Sequence, residues 1–141
     1  MDRIVAIDYG TKRMGVAVTD PLRLIATPLA TVEAPKLMAF LQQYMAQEAV
    51  DTVVVGMPKR LNNTASAMTV AVEKFIRQLQ QAFPGKSVLA YDERYTSKIA
   101  QASMIEAGFK KKDRRNKAHL DRLSATILLQ SFLNHTKNIV S

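Results

Sequence analysis

Three acids stand where the surrounding residues give them no obvious structural reason to be. Asp8 ends the apolar run Ile4-Val5-Ala6-Ile7, Asp92-Glu93 ends the run Ser87-Val88-Leu89-Ala90-Tyr91, and Asp121 lies inside a helical pattern near the end of the chain. An ionised group at the end of a strand covered on both faces is costly to desolvate unless a cation meets it. Three carboxylates gathered in one place would repel one another and resist full ionisation until a divalent ion neutralised them. Oxygen-only donors suit Mg²⁺ or Mn²⁺. Two such ions, about 3.5–4 Å apart, activate a water and stabilise the leaving oxygen when a phosphodiester is cut. Neighbouring strand residues face opposite ways, so only one of Asp92 and Glu93 can look toward Asp8, and the longer reach of Glu93 favours it. Singly, each acid also has an ordinary use: a turn cap, a favourable charge at a helix N-terminus, or an ion pair.

The cations are placed to match. Gly10-Thr11-Lys12-Arg13 follows Asp8 after one residue, Tyr9, as a small, flexible and basic turn that lets a phosphate approach the backbone. The segment from Lys110 to Lys117 holds Lys110, Lys111, Lys112, Arg114, Arg115 and Lys117 against one acid, Asp113, and so supplies +5 of the formal +8. It leads straight into the helix of Asp121, where it can clamp a nucleic-acid backbone without reading sequence. The overall balance, 20 Lys and Arg against 12 Asp and Glu, favours a polyanionic partner. A charge run is also a common form of solvated loop.

These residues need a sheet to hold them. Residues 3–27 read as a three-strand antiparallel meander whose third strand, Leu24 to Thr27, stops at Pro28. Pro35 opens a helix with Leu37, Phe40, Leu41, Tyr44 and Met45 on one side. A short buried strand, Asp51 to Gly56, follows. A helical pattern then spans 62–83, with Ala67, Val70, Ala71, Phe75 and Leu79 as its apolar face, before the strand 87–91. Further helices are expected over 96–108 and 118–134, the latter with Leu120, Leu123, Ile127 and Leu128 as its stripe. This order predicts an α/β protein with a mixed five-stranded sheet, the antiparallel meander joined to parallel strands, and helices on both faces. If the strands of Asp8 and Glu93 are adjacent and parallel, their carboxyl ends share the edge where open α/β sheets gather ligands.

The chain, 141 residues without a linker-like stretch, is expected to be one domain over 1–141. It contains no cysteine, which excludes disulfides and thiolate metal sites, and no apolar run of bilayer-spanning length. No basic-then-apolar leader opens it, so a cytoplasmic location without a membrane partner is expected.

The motifs Asp8-Tyr9-Gly10-Thr11-Lys12-Arg13-Met14-Gly15, Val54-Val55-Gly56-Met57-Pro58, Asp92-Glu93-Arg94-Tyr95-Thr96-Ser97 and Asp121 with Ala125 together resemble the YqgF family. These are RuvC-like proteins described as Holliday junction resolvases and as pre-16S rRNA nucleases. The resemblance covers nearly the whole chain in order. It implies a ribonuclease-H-like fold, an acidic metal-binding triad at Asp8, Glu93 and Asp121, a strand-turn glycine at Gly10, and a further nucleic-acid contact at Arg94. The implied activity is metal-dependent endonucleolytic cleavage, with maturation of the ribosomal RNA 5′ end as its task. The chain departs from the family's usual pattern in the loop after Pro58, which reads Lys59-Arg60-Leu61-Asn62-Asn63-Thr64, and at Ser124-Ala125 in place of paired alanines.

Three alternatives carry different expectations. Resolution of branched DNA asks for a two-fold dimer, whereas trimming an RNA end is work for a monomer. A non-catalytic nucleic-acid or ribosome-binding module would bind in a salt-sensitive way without cleaving. A phosphate-handling enzyme of the actin and sugar-kinase type shares the Asp and glycines of the first hairpin but needs two such domains.

Overall fold

The computed structural model describes residues 2–57, 67–92 and 117–140, with the side chains of the last segment described from 124 to 135. Strands β1 (Arg3–Asp8), β2 (Arg13–Thr19) and β3 (Ala26–Glu33) form the meander. A 3₁₀ turn (Ala34–Lys36) leads into helix α1 (Leu37–Gln47). Strand β4 (Val50–Met57), helix α2 (Ala67–Ala82), strand β5 (Ser87–Asp92) and helix α3 (Lys117–Val140) complete the described elements. The strands lie in the order β3-β2-β1-β4-β5. The first three are antiparallel neighbours, while β4 runs parallel to both β1 and β5. This is the mixed five-stranded sheet that the element order predicts.

Strand alternation separates two cores. On one face Val5, Ile7, Val16, Val53, Val55 and Val88 pack against Leu37 and Leu41 of α1 and Val72, Phe75 and Leu79 of α2. On the other, Ile4, Ala6, Ala17, Val54 and Tyr91 meet Ala125, Leu128, Leu129 and Leu133 of α3. Branched side chains on consecutive strand positions are therefore used on both faces, as a sheet sandwiched between helices requires. Full burial of each Val or Ile contributes about 1.5–3 kcal/mol. None of the described helices is long and apolar enough to cross a membrane.

Four expectations are revised. Strand β3 does not stop at Pro28 but continues to Glu33. The register with β2 shifts between Val16 and Ala17, so Pro28 sits opposite Ala17 at a bulge, and β3 is an edge strand. Both circumstances spare the ladder the N–H that proline lacks. Strands β1 and β5 are parallel but not adjacent, because β4 separates them. Their carboxyl ends are thus about 10 Å apart, two strand spacings rather than one. In α2 the core positions are Thr69, Val72, Phe75 and Leu79, while Ala67 and Val70 are exposed, so the apolar face is rotated from the expected one. In α3 the face on the sheet runs through Ala125, Leu129 and Leu133 as well as Leu128, and the helix extends to Val140. The helix expected over 96–108 and the loop after Pro58 lie outside the described residues.

Candidate functional site

Asp8 is the last residue of β1 and is half-buried. Because Ile4 and Ala6 belong to the core under α3, alternation puts Asp8 on the α3 side of the sheet. Its cross-strand partner in β2 is Gly15. On the other side the register pairs Ile7 with Val55 and Gly56 with Tyr91, which brings Asp8, Gly56 and Tyr91 to one level. Val54 and Tyr91 face α3, so Gly56 belongs to that face too. The carboxylate is therefore flanked on both neighbouring strands by residues without side chains. Ala6, Ala17 and Ala125 continue the small-residue surface toward α3. Sequence reading treated Gly56 only as the end of a strand; its place beside Asp8 depends on register, which periodicity does not reveal.

The turn after Asp8 is fixed by geometry. A Cβ at Gly10 would lie 2.1 Å from the carbonyl oxygen of Arg13, so only glycine fits there without moving the backbone. The Ala34 amide donates to the Lys12 carbonyl at 2.9 Å, tying the turn to the 3₁₀ segment. Gly10, Thr11, Lys12 and Arg13 line an open groove of about 910 Å³ together with Glu33, the cross-strand neighbour of Arg13, Pro35 and Met68. Lys36 stands nearby, 3.7 Å from Glu33 on the exposed surface. All four turn residues expected to meet nucleic acid thus share one groove, and its cations outnumber its acid.

The remaining expected residues divide by position. Asp92 pairs in register with Met57, which packs with the core under α1 and α2, so Asp92 lies on the face opposite Asp8. Of the adjacent acids 92 and 93, the first is excluded as a partner for Asp8. Glu93, Arg94, Lys110, Lys111, Lys112, Arg114 and Arg115 lie outside the described residues. Lys117 opens α3, and Asp121 lies in the same helix four residues, about one turn, before Ala125. Among the described residues no group of three His, Cys, Asp or Glu could hold a metal ion. Farther along α3 the Ser131 hydroxyl and the Tyr91 hydroxyl share a buried hydrogen bond of 2.8 Å. Phe132 and His135 meet the Tyr91 ring edge-on at 5.6 and 6.1 Å, which fixes α3 against β5.

Residues 2–135 match the protein family described as "RuvX: Holliday junction resolvase". The chain belongs to the RuvX family. A relative from Amoebophilus asiaticus (strain 5a2), named "Putative pre-16S rRNA nuclease", is 55% identical over 137 residues, covering 97% of each chain. A relative of the same name from Bacteroides thetaiotaomicron is 51% identical over 133 residues, 94% of this chain and 96% of its own. This RuvX chain also superposes on Thermus thermophilus RuvC in complex with a Holliday junction substrate, with a TM-score of 0.57 and 17% identity over 96% of each chain. That likeness confirms the ribonuclease-H-like fold. The RuvX match is the family that the motifs around Asp8, Gly56, Glu93 and Asp121 resemble.

Proposed function

We propose that the chain is a divalent-metal-dependent endonuclease of the cytoplasm, one domain over 1–141, that cuts structured nucleic acid and matures the 5′ end of pre-16S ribosomal RNA. The observation that carries this reading is Asp8, half-buried at the end of β1 between Gly15 and Gly56, on the face covered by the helix that contains Asp121. The names of the close relatives favour the ribosomal substrate.

In this reading Asp8 and Asp121 hold Mg²⁺ or Mn²⁺, and Glu93 completes the site or orients water. The donor set fits, since it is carboxylate oxygen throughout and Asp8 has glycine on either side. Support for Glu93 comes from Asp92, which the register puts on the wrong face, so that strand alternation favours its neighbour. Support for Asp121 comes from helical spacing, which sets position 121 in line with the buried Ala125 and Leu128. When bound, such ions supply an activated water and neutralise charge on the leaving oxygen. The chain's own cations position the substrate: Lys12 and Arg13 guide one phosphate past the turn, and Arg94 with Lys110, Lys111, Lys112, Arg114, Arg115 and Lys117 holds the flanking backbone.

The family description favours a second substrate, four-way DNA, which would call for a homodimer rather than a monomer. One experiment separates the readings: incubation with pre-16S RNA and with four-way DNA junctions, at matched salt, in Mg²⁺, Mn²⁺ or chelator. Cleavage of the RNA only when metal is present is expected. Junction cutting alone would move the assignment to DNA. Salt-sensitive binding with no cutting of either substrate would leave a binding module.

A further inference from the structure

Directly beyond Asp8, on the opposite face of the sheet, lies a pocket of about 490 Å³ that the cleavage chemistry does not use. Tyr9, Met14, Met38 and Phe75 form its apolar walls and floor, and Lys74 and Gln78 stand at its rim. Phe75 is only 6% exposed and Met14 only 3%, which makes them the floor, while Tyr9 and Met38 are half-buried walls. The Tyr9 ring is held by Phe75, with centroids 5.2 Å apart and planes tilted by 52°. Pro35 lines both this pocket and the groove of Lys12 and Arg13, so the two join at one wall.

A cationic groove beside an aromatic and thioether pocket, with Pro35 lining both, is complementary to a nucleotide, phosphate at one end and flat apolar ring at the other. We propose that this pocket receives one unpaired nucleobase of the substrate, next to the phosphate held by the Gly10–Arg13 turn. The volume admits a base with its ribose. Methionine side chains adapt to rings of different outline, and an aromatic wall offers a stacking surface to any base, so the pocket accepts bases without strict identity. Lys74 and Gln78 add polar contacts at the base edge, where Gln78 can both donate and accept. A paired base cannot enter. The substrate class is therefore a strand that is single or splayed beside the cut, and a continuous duplex is disfavoured.

The proposal rests on the nuclease reading for its place beside Asp8, but its test does not need cleavage. Affinity is measured in chelator for RNA and DNA strands that overhang a constant duplex, which fixes their register, with one abasic site walked along the overhang. With the parent protein, one position is expected to lose affinity by about tenfold, the scale of one stacked base. Ala71→Phe, which fills the pocket from α2, is expected to bind all abasic forms and the intact strand alike, at the parent's weakened level. Met38→Phe narrows the same pocket from α1 and serves if Ala71→Phe does not fold. Equal affinity of the parent for every abasic form, or an unchanged abasic effect in the filled variants, would overturn the proposal. Cleavage of precursor RNA in Mg²⁺ is followed in parallel. No cleavage with the abasic effect intact ends the nuclease reading and keeps the pocket; cleavage without an abasic effect does the reverse.

Discussion

The two ends of the sheet are built on different principles. Where β1 and β4 begin, the chain is knit together by polar contacts. The Ile4 amide donates to Thr19 Oγ1 at 2.9 Å in a buried setting, and Arg3 donates to the Thr19 carbonyl at 2.9 Å while lying 3.4 Å from Glu48. Arg23, in the left-handed region at φ 59°, donates to both oxygens of Asp51 and to the Asp2 carbonyl. Where the same strands end, Asp8 lies between two glycines and the next turn allows only glycine at position 10. One end closes the polar groups on each other, and the other sets an acid between two glycines and follows it with a basic turn. A fold that satisfies its polar groups at one edge can keep the opposite edge poised for a ligand, at some cost in stability there.

The largest effect is expected at the open end. Asp8→Asn keeps the shape of the side chain but removes its charge and turns one acceptor oxygen into a donor. Metal-dependent cleavage is expected to fall by roughly 10³-fold or more, while the melting temperature and the affinity for nucleic acid in chelator stay near the parent's. A variant that cuts as well as the parent would remove Asp8 from the chemistry and erase the contrast between the two ends.

Gly10→Ala comes next. The added methyl would collide with the Arg13 carbonyl, which is backbone and cannot swing aside, so the turn must move. We expect a loss of about 1–3 kcal/mol in stability, the scale of local backbone strain, together with weaker nucleic-acid binding. Gly85→Ala is the matched control, since nothing lies within 4 Å of its added carbon. Thermal melts of the two variants should separate clearly. If they coincide, the turn is soft and does not hold Lys12 and Arg13 in place.

Much of this architecture is legible in the sequence, and the exceptions have a common cause. The run Ile4 to Ile7, the cluster after Asp8 and the order of strands and helices are local signals, and among the described residues each leads to the element observed. Strand alternation lets only one of Asp92 and Glu93 look toward Asp8, the longer reach of Glu93 favours it, and the register turns Asp92 to the opposite face. What sequence reading misses is lateral. Pro28 is tolerated because β3 is at an edge and bulged there; the insertion of β4 between β1 and β5, and the pairing that sets Gly15 and Gly56 beside Asp8, are contacts between distant segments. The rotated face of α2 is a subtler case: Thr69 is buried while Val70 is exposed, an inversion that hydropathy alone argues against.

Across the sheet from α1 and α2, the Tyr91–Ser131 hydrogen bond fixes α3 to β5. Tyr91→Phe leaves the buried Ser131 hydroxyl without this partner and is expected to cost about 1 kcal/mol in chemical denaturation. The double variant with Ser131→Ala should cost less than the sum of the single changes, because it removes both polar groups together. Full additivity would mean that the contact contributes nothing as a pair and that α3 is held by its apolar face alone.

The smallest effect belongs to the closed end. Asp20 accepts hydrogen bonds from the amides of Leu22, Leu24 and Ile25, and these, the Ile25 amide foremost, hold its carboxyl below the usual aspartate value of 3.8. A lowered carboxyl pKa means that the folded state prefers the ionised form. The contribution is therefore complete above pH 3.8 and is lost as the pH falls through the still lower folded value. Comparison of the parent with Asp20→Ala by denaturation across this range should show a small, constant gap from neutrality down to about that pH and a closing gap below it. The group is at the surface, so the gap should be modest. A gap that instead widened on acidification would mean that the folded state favours the protonated carboxyl, so that the three amides do not hold the ionised form.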